Sequence, residues 1–156
     1  MTVRPFLFAG LLALTGAPAL AEITIHDAYL RTATPTARTG AAFMVIHNDG
    51  PQADRLIGVG GDFAARVELH THRDSGNGVM QMIHVEEGFE IPAGGTHALR
   101  RGGDHVMLMG LSRPLPDGET VTLTLIFETT GEVVIEVPVD RTRVDDAPAT
   151  DHGSGS

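Results

Sequence analysis

The chain has 156 residues, a formal net charge of −9 and no cysteine. This length suits one domain, and the acidic balance argues against a nucleic-acid partner. The absence of thiols excludes disulfides, iron–sulfur clusters and a blue-copper centre, which requires a thiolate ligand. The folded domain must therefore be held together by its own hydrophobic core.

The first 21 residues are typical of an export signal. A positive stretch ends at Arg4, an apolar run covers residues 5–14, and small residues end in an A-x-A pattern at residues 19–21. These are the three regions of a secretory signal peptide, and the apolar run is shorter than the roughly 20 residues that span a bilayer. We expect cleavage after Ala21, a periplasmic location, and no membrane span in the mature chain.

Residues 22–140 are predicted to form one all-β domain. Short segments rich in apolar and β-branched residues alternate with turn signals, without a sustained helical period. The predicted strands cover residues 23–31, 41–47, 53–59, 65–71, 79–85, 97–100, 105–111, 119–129 and 133–139. Many short strands at this spacing favour an antiparallel β-sandwich or barrel. Residues 141–156 are polar and are predicted to be a disordered tail.

Histidine and methionine fall in two clusters. The first contains His70 and His72, and continues after a turn with Met80, Met82 and His84. The second is the strand segment His105-Val106-Met107-Leu108-Met109. Alternate residues of a strand share a face, so the histidine and both methionines of the second cluster point the same way. Two strands that each carry a histidine and a methionine could therefore meet around one ion.

The combination of imidazole and thioether ligands favours copper. A thioether is a soft, neutral ligand that suits Cu(I) and suits Zn²⁺, Mg²⁺ or Ca²⁺ poorly. A set of two histidines and two methionines is neutral and therefore favours a singly charged ion. The alternative is that the methionines only fill the core, as methionine usually does in an apolar strand. Spacing alone leaves both interpretations open.

Four segments resemble the PCuAC family of periplasmic copper chaperones. They read V-E-L-H at residues 67–70, G-V-M-Q-M at 78–82, I-P-A-G-G at 91–95 and G-G-D-H-V-M-L-M-G-L at 102–111. The resemblance covers essentially the whole mature domain. It implies a cupredoxin-like Greek-key β fold that binds Cu(I) and is not an enzyme. It also implies copper delivery toward cytochrome c oxidase, alongside a Sco-type thiol protein.

The family motif is a histidine, a methionine about ten residues later, and then H-x-M. Mapped onto this chain, the resemblance implies His70, Met82, His105 and Met107 as the Cu(I) ligands. The segment between the first two is one residue longer than usual, in the turn at residues 74–78. It is left open whether His72 replaces or supplements His70, and Met80 and His84 are weaker rivals to the assigned ligands.

Other functions remain as alternatives. The chain could store copper or confer copper tolerance, or it could be a structural exported β-domain without metal. A hydrolytic zinc enzyme would need histidine beside a carboxylate and an open water position, a pattern that the two clusters lack. Some PCuAC proteins carry a C-terminal extension rich in histidine and methionine. Here the tail has His152 and no methionine, and a secondary Cu(II) site there is left open.

Overall fold

A computed structural model describes residues 22–144. This part of the chain contains ten β-strands: β1 (Ile23–Thr32), β2 (Thr39–Asn48), β3 (Asp54–Gly60), β4 (Ala64–Asp74), β5 (Met80–His84), β6 (Phe89–Ile91), β7 (Thr96–Leu99), β8 (His105–Leu111), β9 (Thr120–Phe127) and β10 (Gly131–Pro138). The prediction of an all-β domain is confirmed.

The strands form two antiparallel sheets. One has the order β1-β2-β8-β4-β5, with β7 also paired to β2, and the other has the order β10-β9-β3-β6. The two sheets stay separate, so the molecule is a sandwich and not a closed barrel. Strand β8 lies in the middle of the first sheet, between β2 and β4, and β5 lies at its edge.

Strand β6 was not predicted from the sequence. Residues 90–96 carry turn signals, whereas the structure pairs Phe89–Ile91 with β3. The strand is only three residues long, and one buried side chain lies on each side of the exposed Glu90. Three residues contain too little of a two-residue period to separate a strand from a turn.

Alternating side chains place the core between the sheets. In β9, Val121, Leu123, Leu125 and Phe127 are buried, as their alternation with threonines predicts. In β8, Val106 and Leu108 are fully buried in the same core. From His105 to Met109, the side chains that alternate with these two must therefore lie on the outer face of the first sheet. That face carries His105, Met107 and Met109.

Several sequence predictions concern residues at the two ends. The export signal at residues 1–21, its cleavage after Ala21, and His152 all lie outside the described residues. Of the predicted tail, residues 141–144 are described, and two of their side chains contact the domain. Arg141 donates hydrogen bonds to Leu115 and Asp117, and the Arg143 guanidinium lies 4.8 Å from the centre of the Tyr29 ring.

Within residues 22–144, the structure has no helix long and apolar enough to cross a membrane.

Candidate metal centre

The strand register brings the two histidine–methionine clusters onto one face of the first sheet. Between β4 and β8, His70 pairs with His105 and Glu68 pairs with Met107. Between β4 and β5, His72 pairs with Met82, and His70 also pairs with His84. Directly paired residues of antiparallel strands share a face, with neighbouring Cβ atoms about 5 Å apart. The sequence clusters are therefore adjacent in space.

A cavity of about 200 Å³ opens on this face. Its walls combine three of the four predicted ligands with a histidine that the sequence left as a rival. The lining residues are Ala41, Phe43, His72, Met82, Arg101, Gly102, His105 and Met107. Two thioethers and two imidazoles thus border one small space. His70, the remaining predicted ligand, lies beside this cavity and does not line it.

His105 lines the cavity and is held in a fixed orientation. Its side chain is almost entirely buried, with a relative exposure of 2%. Its Nδ1 donates a hydrogen bond to the Gly103 carbonyl, with a distance of 2.9 Å between nitrogen and oxygen. Burial lowers the pKa of His105 below its ordinary value, although the bond to Gly103 acts in the opposite direction. A neutral imidazole protonated at Nδ1 keeps its Nε2 lone pair for a metal ion.

His72 uses the same carbonyl. Its Nδ1 lies 3.3 Å from the Gly103 oxygen, and its ring centre lies 5.2 Å from that of His105. Because a carbonyl oxygen only accepts hydrogen bonds, Nδ1 of His72 must carry the proton. The Nε2 atom of His72 then has a lone pair that it can donate to a metal ion, as in His105.

His70 has a different partner. Its Nε2 lies 2.9 Å from Oε2 of Glu68, and this hydrogen bond is the main cause that lowers the pKa of the Glu68 carboxyl. The His70 ring stacks on His84 at 5.7 Å and lies 6.0 Å from the His105 ring. Its Nδ1 is buried and has no hydrogen-bond partner among the described residues. The role of His70 as a copper ligand stays a prediction.

The methionines differ in their exposure. Met82 on the edge strand is 46% exposed, and Met107 in the central strand is partly buried. Met80 is 55% exposed and pairs with Asp74, two residues closer to the hairpin turn than Met82. Met44 is buried in the core between the sheets. Of these four thioethers, those of Met82 and Met107 line the cavity.

The loop between β7 and β8 supplies parts of the site that the sequence did not reveal. The Gly103 carbonyl orients two imidazoles, and Arg101 and Gly102 form one wall. His97 supports this loop through a 2.9 Å contact with Asp104, and its ring stacks on Phe89. A main-chain carbonyl leaves no mark in a sequence, because every residue has one.

The donor set restricts the ions that fit. Within residues 22–144, no three histidine, cysteine, aspartate or glutamate side chains are arranged to hold a metal ion. The soft and nitrogen donors that line the cavity are two thioethers and two imidazoles. Two methionines and two neutral histidines match a soft ion of low charge, such as Cu(I), better than a hard divalent ion.

Solved structures that share the fold of this chain include PCuAC domains and copper-bound proteins. The copper-bound PCuAC domain from PmoF2 matches with a TM-score of 0.63 and 27% identity, covering 79% of this chain and 96% of that one. The solution structure of CuI-DR1885 from Deinococcus radiodurans matches with a TM-score of 0.61 and 33% identity over 83% of each chain. The apo form of DR1885 is 35% identical, with a TM-score of 0.59, over 90% of this chain and 93% of that one.

Comparison with family models decides the family. The model described as "Putative lipoprotein LpqE-like" matches residues 23–139. The chain belongs to the LpqE-like family. A relative named "Putative lipoprotein Lxx21020", from Leifsonia xyli subsp. xyli, is 37% identical over 99 residues, which are 64% of this chain and 59% of that protein. The present LpqE-like chain thus aligns with little more than half of that relative.

These matches bear on the resemblance to the PCuAC family. The predicted cupredoxin-like β-sandwich is confirmed, because the LpqE-like domain superimposes on PCuAC domains over most of its length. The family model itself carries the LpqE-like description, so the chain is an LpqE-like protein with a PCuAC-like fold.

Proposed function

We propose that this protein is an exported copper chaperone that binds one Cu(I) ion in the cavity beside β8 and passes it to a partner protein. The observation that carries the proposal is the cavity itself. The thioethers of Met82 and Met107 and the imidazoles of His105 and His72 border one space of about 200 Å³. Solved structures of the same fold are named as copper-bound and Cu(I) forms, which supports copper as the ion.

We assign Met82, His105 and Met107 as ligands, together with a histidine of β4. Met82 and Met107 reach the ion from two different strands, and His105 presents Nε2 from a fixed ring. A set of neutral ligands avoids burying an unpaired negative charge when the metal leaves. The empty site would therefore remain folded between rounds of transfer.

The position of the cavity supports transfer to another protein. Met82 lies on an edge strand and is nearly half exposed, so an incoming ligand can approach the ion from the side of β5. Transfer by ligand exchange requires no bond chemistry from the protein, so we propose a binding function and not an enzymatic one. A receiver at the copper sites of cytochrome c oxidase, with a Sco-type protein, remains part of the proposal.

A periplasmic location is also proposed. The sequence of residues 1–21 predicts export, and both the family and the relative from Leifsonia xyli are described as lipoproteins.

A competition titration tests the proposal. The protein from Glu22 onward is titrated with Cu(I) against a chromophoric chelator, beside the variants His105→Ala and Met107→Leu. We expect wild type to bind one Cu(I) and each variant, which lacks one ligand, to bind at least about tenfold more weakly. A tenfold change corresponds to about 1.4 kcal/mol of binding free energy. Circular dichroism checks that the variants fold. Equal binding by all three proteins would contradict the proposal.

A further inference from the structure

We propose that His72, and not His70, is the β4 histidine that coordinates copper in this chain. This inference rests on the proposed copper-binding function and assigns the ligand that the sequence left undecided. Both histidines lie on the same face of β4, two residues apart, so periodicity cannot separate them. The lining of the cavity separates them, and the register of the β4–β5 hairpin and the hydrogen bonds of the two rings explain why His72 lines it.

The hairpin register places His72 directly opposite Met82. The pairs in this ladder are His70 with His84, His72 with Met82, and Asp74 with Met80. A direct pair brings side chains closest, and a diagonal neighbour is about 7–8 Å away. His70 is therefore directly opposite His105 and one diagonal step from Met82, whereas His72 is the immediate neighbour of Met82.

The turn after β4 sets this register. Five residues, 75–79, connect Asp74 to Met80. Ser75 donates two hydrogen bonds to the Val79 carbonyl, one from its amide and one from its hydroxyl, and the Gly76 amide donates to Asp74. Gly76, Asn77 and Gly78 all have positive φ angles, of 97°, 58° and 74°.

A register slipped by two residues would keep every side chain on its face but would pair His70 with Met82. It would also pair Asp74 with Gly78 and leave only three residues in the turn. The hydrogen bonds from Ser75 to Val79 close the five-residue turn and oppose that slip. Turn geometry fixes hairpin register. The turn sequence therefore determines which histidine lies opposite Met82.

The rings of His72 and His70 form hydrogen bonds through different nitrogen atoms. His72 shares the Gly103 carbonyl with His105, and this common acceptor leaves Nε2 free in both rings. Both rings also line the cavity. His70 instead donates from Nε2 to Glu68, which lies two residues away on the same face of β4. To present Nε2 to copper, His70 would have to break this charge-assisted hydrogen bond. Its other ring nitrogen, Nδ1, is buried, and His70 does not line the cavity.

Cu(I) titrations of His72→Ala and His70→Ala test the assignment. We expect His72→Ala to weaken Cu(I) binding by about tenfold or more, as for loss of a direct ligand, and His70→Ala to stay within about threefold of wild type. His47→Ala, a substitution of a histidine on β2 outside the cavity, is the matched control. A His72→Gln variant keeps a side chain of similar size and should lose the same affinity, which separates loss of a ligand from loss of packing.

An ¹⁵N-detected NMR spectrum of the histidine rings provides an independent measurement on the wild-type protein. On addition of Cu(I), we expect the Nε2 signals of His72 and His105 to shift as both rings keep a proton on Nδ1. Both ring nitrogens of His70 should keep the signals that they have without Cu(I), with the proton on Nε2 and no shift at Nδ1. This measurement does not depend on the folding of any variant.

The outcomes separate this inference from the proposed function. If His70→Ala loses affinity and His72→Ala does not, or if both lose it equally, the assignment of His72 alone is overturned while copper binding stands. Coordination of His70 in the NMR spectrum would overturn it as well. If wild type does not bind Cu(I), the proposed function itself fails, and the assignment fails with it.

Discussion

His105 is buried although it lies on the outer face of the first sheet, in the candidate metal centre. Its side chain is buried, its Nδ1 is bonded to Gly103, and the next residue, Val106, points into the space between the sheets. Alternation along β8 thus links a packed face and a ligand face residue by residue. A ligand fixed in this way loses little conformational entropy when it binds a metal ion.

Met107 and Met109 offer a matched pair of substitutions on the same strand. Met107 lines the cavity, whereas Met109 is further along the same face of β8. We expect Met107→Leu to weaken Cu(I) binding at least about tenfold, and Met109→Leu to leave it unchanged, because leucine keeps the volume but removes the soft sulfur. Both variants are titrated with Cu(I) under identical conditions. Equal losses in the two would show that the effect is one of packing.

Asp54 connects the start of β3 to the turn between β9 and β10. Its carboxylate accepts hydrogen bonds from the Arg55, Thr129 and Thr130 amides and from the Thr130 hydroxyl. Burial alone would raise the pKa of Asp54, but these hydrogen bonds outweigh it and hold the pKa below the ordinary value of 3.8. The charged form is therefore favoured by folding.

An Asp54→Asn variant tests this connection through the pH dependence of stability. A lowered folded-state pKa adds stability above the unfolded pKa of 3.8, and this stability is lost as the pH falls through the folded-state value. We expect the variant to unfold with about 1–3 kcal/mol less free energy than wild type at pH 7, and the difference to shrink below pH 4. Urea unfolding at several pH values measures it. A difference that does not change with pH would contradict this account.

At the scale of elements, the turns decide how strands meet. The β4–β5 turn sets the hairpin register, and the turn that ends at Gly88 leads the chain from β5 to β6, and so from one sheet to the other. Gly88 has a φ of 72°, and a Cβ atom there would lie 2.0 Å from the carbonyl oxygen of Leu56. Both the backbone conformation and the close approach require glycine at this position.

Substitution of Gly88 should therefore cost more than substitution of a glycine in open space. Gly118 has a similar φ of 84°, but nothing lies within 4 Å of a Cβ atom built on it. We expect Gly118→Ala to lower the free energy of unfolding by about 1–2 kcal/mol through backbone strain alone. Gly88→Ala should lower it further, since β3 must also move. Thermal unfolding measures the loss of stability in each variant. Equal losses would show that β3 shifts to accommodate the Cβ atom at no energetic cost.

At the scale of the whole molecule, the two sheets have different roles. The first sheet carries the cavity on its outer face, and the second sheet, built from β3, β6, β9 and β10, closes the other side of the core. Stability and metal binding should then be largely separable, because distant sites contribute independently to free energy.

Leu123→Ala tests this separation. Leu123 is fully buried in β9, in the sheet without the cavity. We expect the substitution to lower the free energy of unfolding by about 2–5 kcal/mol and to leave the Cu(I) dissociation constant unchanged. Cu(I) at one hundred times its dissociation constant should restore about 2.7 kcal/mol. Chemical unfolding with and without Cu(I) measures both effects. A Met107→Leu variant, which should gain far less from Cu(I), is the control.

The amino-acid sequence by itself determined the fold class and the location of the two clusters. Alternation in β8 and β9 is a local property, so it predicts which side chains share a face before any strand partner is known. The soft and neutral character of methionine and histidine likewise predicts the kind of ion from residue types alone. Strand β6 was missed because three residues are too few to show a period.

Only the tertiary structure decided which side chains surround the cavity. The pairing of His72 with Met82 depends on the turn at residues 75–79, and the shared Gly103 carbonyl depends on how the loop before β8 folds back over the sheet. The register follows from the backbone conformation of the turn, and the hydrogen bond of His72 joins it to a carbonyl 31 residues away, so neither can be read from residue spacing. Residue spacing can place two histidines on one face, but it cannot tell which of them reaches the ion.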